Sequence, residues 1–145
     1  MSFVMQHAVK AYAKVNVETG VSAADPHKLV LMLFDGAIAA VIDAQRHFAA
    51  GALALRGESI SKAIMIIQDG LSASLDVKAG GAMAENLASL YDYMARRLLA
   101  VSVKGDGQGL EEVRILLGEL RSAWASIPAA RTQTAAGAGM AARAA

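Results

Sequence analysis

The sequence predicts an all-α protein, an antiparallel four-helix bundle with a mobile N-terminal arm or short helix before it. Hydrophobic residues make up 55% of the 145 residues but aromatic residues only 5%, so the apolar content is mostly aliphatic. Ala, Leu and Met favour helices, and the chain contains only two prolines. Four stretches also repeat apolar residues at spacings of three and four, with short glycine-rich segments between them.

The first helix has a clear start signal. Asp25 is a typical N-cap residue, and Pro26 suits the first helical position. The apolar stripe that follows continues to about Ala50, and Gly51 is expected to end the helix. Residues 1–24 show no clear heptad, so we expect them to form the N-terminal arm.

The second and third helices are recognised by their apolar seams. The second helix starts between Ala52 and Ser59, and its seam is Ile60, Ile64, Ile67, Leu71 and Leu75. A break at Gly80-Gly81 separates it from the third helix, whose seam is Met83, Leu87, Leu90, Met94, Leu98 and Val101.

The fourth helix follows a glycine-rich turn, residues 105–109, in which Asp106 is expected to cap it. Its seam is Leu110, Val113, Leu117, Leu120, Trp124 and Ile127, and it stops at Pro128. We therefore expect a helical bundle over residues 25–128. Residues 129–145 are rich in Ala and Gly without periodicity, which predicts a disordered tail.

Composition and charge argue against several functional classes. A formal net charge of +1 gives no strong attraction to nucleic acid or to anionic membrane. Charged residues interrupt every apolar run well before the roughly 18 residues of a membrane span, so we expect no stable membrane insertion. The N-terminus lacks the pattern of a secretory signal peptide, and the absence of cysteine fits a reducing cytosol.

The residues that carry catalysis or bind metals are not arranged for either task. No glutamate is followed three residues later by histidine, which di-iron bundles require, and His7, His27 and His47 share no ligand spacing. No nucleophile elbow or Walker-type phosphate loop is present. We therefore expect neither an enzyme nor a protein with a metal or cofactor.

Two helices have more apolar surface than one seam uses. Four consecutive apolar residues, Ile64 to Ile67, cover a full helical turn, so Met65 and Ile66 are expected to face away from the seam. On the third helix Tyr91 extends the apolar face, and Tyr93 points in another direction. This surplus favours a groove that receives an amphipathic helix, although a wide core or a homodimer interface also explains it.

The first helix carries a second apolar stripe, which includes Ile38. Asp35 and Gly36 interrupt this stripe. A carboxylate in such a place must stay solvated or find hydrogen-bond donors, because an unpaired buried charge is costly. Asp35 is therefore either a solvent-facing carboxylate or a polar anchor inside a peptide groove.

Several short motifs follow one another in order along residues 9–127. They include Asp25-Pro26-His27-Lys28-Leu29, Met32-Leu33-Phe34-Asp35-Gly36, Leu90-Tyr91-Asp92-Tyr93-Met94 and Ala123-Trp124. No single motif is decisive, but the ordered set resembles the FliS family of flagellar secretion chaperones. The resemblance does not extend to the first eight residues or to the tail.

The resemblance implies a non-catalytic chaperone of the bacterial cytosol. Such a chaperone would bind the disordered C-terminal segment of flagellin, prevent its premature polymerisation and support its export by the flagellar type III apparatus, with export-gate components as further partners. The arm around Val9 and Tyr12 would lie over the groove until the client displaces it. The candidate groove residues are Asp35, Ile38, Met65, Ile66, Tyr91 and Tyr93. The alternative function is that of a self-associating helical structural or adaptor protein.

Overall fold

The computed structural model describes residues 25–128 of the chain. The expected arm, with Val9 and Tyr12, and the expected tail lie outside the described residues. The described part consists of helical elements joined by short turns. They are α1 (Pro26–Ala49), α2 (Leu53–Met65) continued by a π-helical segment (Ile66–Ser72), α3 (Val77–Lys104) and α4 (Gln108–Ala125). The all-α, four-helix prediction is confirmed.

The helices form a ring in chain order. α1 packs against α2 and α4, and α3 packs against the same two helices. Within residues 25–128, no Cα atoms of α1 and α3, or of α2 and α4, lie within 8 Å of each other, so these pairs are diagonal. The connections between successive helices are short, so each helix runs in the opposite direction to the one before it. Neighbouring helices are therefore antiparallel. This arrangement creates four outer grooves, one between each neighbouring pair.

One contiguous apolar core fills the centre of the ring. Every helix contributes to it, and its fully buried large side chains are Leu33, Val41, Ile60, Ile67, Leu71, Met94, Leu98, Val101, Leu110, Val113 and Leu117. The seam predicted for the fourth helix lies in this core, with Leu120 packed at its edge. Burial of these side chains is the main source of the bundle's stability.

Aspartate side chains lie at helix starts. Asp25 is the N-cap of α1, as predicted, whereas the N-cap of α4 is Gly107 and not Asp106. The Lys28 N–H donates to the Asp25 carboxylate at 3.2 Å, and Pro26 occupies the first helical position. Asp106 accepts a hydrogen bond from the N–H of Gln108 at 3.1 Å, one residue outside the N-cap of α4. These bonds satisfy donors that a helix N-terminus otherwise leaves to water.

The predicted break between the second and third helices is a kink. Gly81 adopts φ 61° and ψ −144°, a conformation that side chains with a Cβ strongly disfavour. The first turn of α3 therefore points in a different direction from the rest of that helix. The redirected turn connects the end of the π-helical segment to the long axis of α3.

The π-helical segment corrects one prediction from the sequence. Regular α-helical periodicity turns Ile66 away from the seam, but in the structure Ile66 and Ile67 are both buried in the core. A π-helix uses i→i+5 hydrogen bonds, as from the N–H of Ala73 to the Gln68 carbonyl at 3.2 Å, and holds more residues per turn. Adjacent apolar residues can therefore share the inner face.

Among the helices of residues 25–128, none is long and apolar enough to cross a membrane.

We predict that Leu117→Ala lowers the free energy of unfolding by about 2–5 kcal/mol, because it truncates a fully buried leucine. Urea titration followed by circular dichroism measures this loss. The control Leu99→Ala truncates an exposed leucine on α3 and should cost less than about 1 kcal/mol. Equal losses in the two variants would contradict the core described above.

A second prediction compares two glycines of α4. A Cβ on Gly109 would lie 2.6 Å from Val101 Cγ2, whereas a Cβ on Gly118 meets no atom within 4 Å. We expect Gly109→Ala to destabilise the protein by about 1–3 kcal/mol through overpacking. Gly118→Ala should stabilise it by up to about 1 kcal/mol through helix propensity.

The same titrations in a Val101→Ala background test the mechanism. Removing the valine methyl groups should abolish most of the penalty of Gly109→Ala and leave the effect of Gly118→Ala unchanged. An undiminished penalty in that background would show that the cost does not come from the contact with Val101.

Candidate functional site

Hydrogen bonds across α1 and α4 define the register of these two helices. The Arg121 guanidinium donates to the Asp35 carboxylate, with Nε at 2.7 Å from Oδ1. Ten residues further along α1, Gln45 Nε2 donates to Glu111 Oε1 at 2.8 Å. On α4, Glu111 and Arg121 are also ten residues apart. This equal spacing is expected because the two helices are antiparallel and have the same rise per residue.

Apolar residues line the surface between these two polar bridges. At about 100° per residue, Ile38 and Ile42 lie on the same side of α1 as Asp35. Ile115 and Gly118 lie on the matching side of α4. Ile42 and Ile115 are exposed, and Ile38 is half-buried against the core.

We call this surface the α1–α4 groove. Its residues are Asp35, Ile38, Ile42 and Gln45 of α1 and Glu111, Arg114, Ile115, Gly118 and Arg121 of α4. The groove is about 15 Å long between its polar ends, at 1.5 Å of rise per residue. Gly118 lies near its middle, opposite Ile38, and space is open where a side chain would stand.

The polar ends of the groove are internally neutralised. Asp35 pairs with Arg121 at one end, and Arg114 Nε donates to Glu111 at 2.9 Å at the other. The hydrogen bonds from Arg114 and then from Gln45 lower the pKa of Glu111 from 4.5 to about 2. The groove therefore offers apolar surface between two ion pairs, without a net field that selects a charged ligand.

An aromatic contact closes the bundle below the Asp35 end. Trp124 Nε1 donates to the backbone carbonyl of His27 at 3.1 Å, and the two rings stack with centroids 5.9 Å apart. Trp124 is buried, so its indole N–H needs this acceptor. The contact ties the end of α4 to the start of α1 and supports the groove.

The structure separates the six candidate residues instead of gathering them in one groove. Asp35 and Ile38 lie in the α1–α4 groove. Ile66 and Tyr91 are buried core residues, so neither presents open surface. Ile66 turns inward with the π-helical segment, and Tyr91 lies on the inner face of α3 with Met94 and Leu98.

The remaining two candidates are exposed on other parts of the surface. Met65 is on α2, where no other candidate lies. Tyr93 is on the α3–α4 side, where its hydroxyl donates to Glu112 Oε2 at 2.6 Å. Glu112 also accepts from Arg97 Nε at 2.8 Å, and Arg97 pairs with Asp106. These bonds lower the pKa of Glu112 and raise that of Tyr93, and they join α3 to α4.

Sequence reasoning missed the α4 side of the groove. Ile115 is an apolar residue outside the predicted core seam of its helix. Met65 is a candidate for the same reason, so this pattern could have identified Ile115. Gly118 lies within a strong helix and forms no turn. Whether the space beside it is open depends on how the neighbouring helix packs, which the sequence does not show. Arg121 is 86 residues from Asp35 in sequence, and no local pattern connects them.

The α1–α4 groove offers a surface suited to binding an apolar segment. Within residues 25–128, no three histidine, aspartate or glutamate side chains come together in a way that could hold a metal ion. The carboxylates of the α1–α4 groove are engaged by arginine or glutamine. What the groove offers is a strip of aliphatic surface of the length of about three helical turns.

Comparison with known proteins gives consistent matches over most of the chain. The family model of the flagellar protein FliS matches residues 8–131. The chain is 49% identical over 119 residues to the flagellar secretion chaperone FliS of Salmonella typhimurium, covering 82% of this chain and 88% of that protein. It is 40% identical over 115 residues to the Escherichia coli protein of the same name, covering 79% and 85%. The Vibrio cholerae FliS is 39% identical over 124 residues, covering 86% and 90%.

The lowered pKa of Glu111 predicts a pH dependence of stability. A group whose pKa falls on folding stabilises the protein above its unfolded value, and this contribution is lost as the pH falls from about 4.5 towards 2. We expect Glu111→Gln to reduce the drop in the urea midpoint over this window. Urea titrations at several pH values measure the effect.

The matched control is Glu119→Gln on the same helix, an exposed glutamate without an ion pair among the described residues. Glu119→Gln should leave the steepness of the drop close to that of the wild type. An identical drop in the wild type and Glu111→Gln would contradict a stabilising role for the bonds from Arg114 and Gln45.

Proposed function

The chain belongs to the FliS family of flagellar secretion chaperones, and from this premise we propose that it binds the disordered C-terminal segment of flagellin. Binding would cover the surface through which flagellin subunits polymerise and keep the client competent for export from the bacterial cytosol. Delivery to the export gate would follow. The family is a chaperone family, and the proposal involves no catalysis.

The observation that carries this proposal is the α1–α4 groove. It is an aliphatic strip about 15 Å long, which is the length of about ten helical residues. An amphipathic client helix of that length presents apolar anchors at positions i, i+3 or i+4, and i+7. Ile38, Ile42 and Ile115 would contact those anchors, and the open space at Gly118 would let the client backbone approach closely.

The polar ends of the groove would set the position of the client. Asp35 and Arg121 are about half exposed and so remain accessible to polar groups at one end of the client helix. Exposed ion pairs of this kind contribute little to stability, about 0–1 kcal/mol, so they can exchange partners at low cost. Asp35 would then act as the polar anchor, and Ile38 as an apolar contact.

The other candidate residues have different roles in this proposal. Met65 and Tyr93 are exposed and would contact the client where it continues around the bundle. Ile66 and Tyr91 are buried and would support the groove helices without touching the client. When a disordered segment wraps around a protein, ordering it costs about 2–5 kcal/mol of the binding free energy. This cost lowers the affinity, so the client can be released even from a large interface.

We predict that Ile42→Glu and Gly118→Leu each weaken binding of the flagellin C-terminal segment by about tenfold or more, equivalent to 1.4 kcal/mol. The first change places a charge on the apolar strip, and the second fills the open space of the groove. Calorimetric titration with the segment from the same organism measures both. Thermal unfolding verifies that the variants are folded.

The matched control is Val77→Glu, because Val77 is 39% exposed and Ile42 is 40% exposed, but Val77 lies at the start of α3. It should bind with wild-type affinity. If all three variants bind normally, the client site is elsewhere on the bundle. If the wild-type protein also fails to bind or to delay flagellin polymerisation in light scattering, the proposed client itself is wrong.

A further inference from the structure

The most exposed apolar side chains of the described residues lie at one end of the bundle. Val103, Leu53, Leu99 and Leu55 are 49–76% exposed, more than any other large hydrophobic side chain of residues 25–128. This end carries both the α1–α2 and the α3–α4 connections. A soluble protein rarely concentrates such residues in one place without a partner.

Helix order brings Leu53, Leu99 and Val103 to the same end of neighbouring helices. α2 begins at Leu53, α3 ends at Lys104, and the two helices are antiparallel neighbours. The first turn of α2 and the last turns of α3 are therefore adjacent. Leu99 and Val103 are four residues apart and lie on the same side of α3. Leu55 lies about 200° around α2 from Leu53 and faces the other side of the helix, so we call Leu53, Leu99 and Val103 the end patch.

The charges available around the end patch are mainly positive. Arg56 in the first turn of α2 and Lys104 at the end of α3 form no ion pair with the described residues. The carboxylates on nearby turns are mostly neutralised, in the pairs Asp43–Arg46, Asp92–Arg96 and Asp106–Arg97. Glu58, about one turn further from this end, is the unpaired exception.

The start of α2 adds to this positive character. Its N-cap, Ala52, makes no side-chain capping bond, and the first turn contains no acidic residue. Negative charge stabilises a helix N-terminus, yet the chain places Arg56 there. The Arg56 guanidinium carbon lies 5.0 Å from the centre of the Phe48 ring, and its Nε is buried without a hydrogen-bond partner.

We propose that the end patch docks an amphipathic, acidic helical segment of a second protein. The apolar face of that segment would cover the end patch, and its carboxylates would meet Arg56, Lys104 and the positive end of the α2 helix dipole. The patch lies on the α2–α3 side, across the ring from the α1–α4 groove. The end patch shares no residue with the α1–α4 groove, so the groove can hold a client segment while the end patch is occupied.

The probe is a designed peptide of about 16 residues, long enough to form helix on binding, with leucine at i, i+3, i+4 and i+7 and glutamate elsewhere. Its twin replaces every glutamate with lysine. Each peptide is titrated into the isotope-labelled full chain, and binding is followed by NMR through the shifts of the backbone amide resonances. We expect the acidic peptide to shift residues 53–57 and 99–104 saturably, and the basic twin to bind about tenfold more weakly or less.

Variants separate the end patch from the groove. Leu99→Ser combined with Val103→Ser, and separately Lys104→Glu, should each weaken the acidic peptide at least about tenfold. Both leave the core intact, and thermal unfolding verifies this. The control Ile42→Glu changes the α1–α4 groove and should not affect the acidic peptide.

Four outcomes would overturn the proposal. They are absence of saturable binding, equal binding of the two peptides, shifts confined to the α1–α4 groove, and competition by the flagellin C-terminal segment. Sedimentation covers one more possibility, a second copy of this chain. If the protein is a dimer at the titration concentration, and Leu99→Ser combined with Val103→Ser abolishes that dimer, the end patch is a homodimer interface. Because the peptide titration needs no flagellin, its failure is distinct from failure of the proposed client.

Discussion

The register between α1 and α4 is the constraint on which the rest of the bundle depends. Three polar contacts set it along the length of the two helices. They are Trp124 with the His27 carbonyl, Arg121 with Asp35, and Gln45 with Glu111. A shift of one helical turn would break all three together and leave the indole N–H buried without an acceptor, which is costly. The groove and its polar ends exist because this register aligns them.

The second constraint is the way α2 fits against α1. Gly70 of the π-helical segment approaches Leu33 so closely that a Cβ would lie 2.9 Å from Leu33 Cδ2. The wider turn also brings Ile66 and Ile67 into the core together. The apolar run of α2 is therefore largely used for folding. The apolar surface left for binding lies mainly elsewhere, in the α1–α4 groove and at the end patch.

These two surfaces differ in a way that suits different ligands. The α1–α4 groove is long, aliphatic and bracketed by ion pairs, so it favours an uncharged apolar strip of a helix and can release it. The end patch is short, more exposed and bordered by unpaired cations, so it favours a ligand with carboxylates. The two surfaces have no residue in common.

The sequence by itself determined the features that depend on near neighbours in the chain. The N-cap at Asp25-Pro26, the break at Gly81 and the all-α class follow from capping, glycine conformation and periodicity, and the order of short motifs predicted the family. Only the tertiary structure decided which apolar residues remain exposed and where they meet. Apolar periodicity assumes a regular α-helix, so it could not predict that Ile66 of the π-helical segment is buried. It also shows which face of a helix is apolar without showing which other helix packs against that face. Arg121 meets Asp35 because helices far apart in sequence pack side by side, and that contact is decided by the whole core.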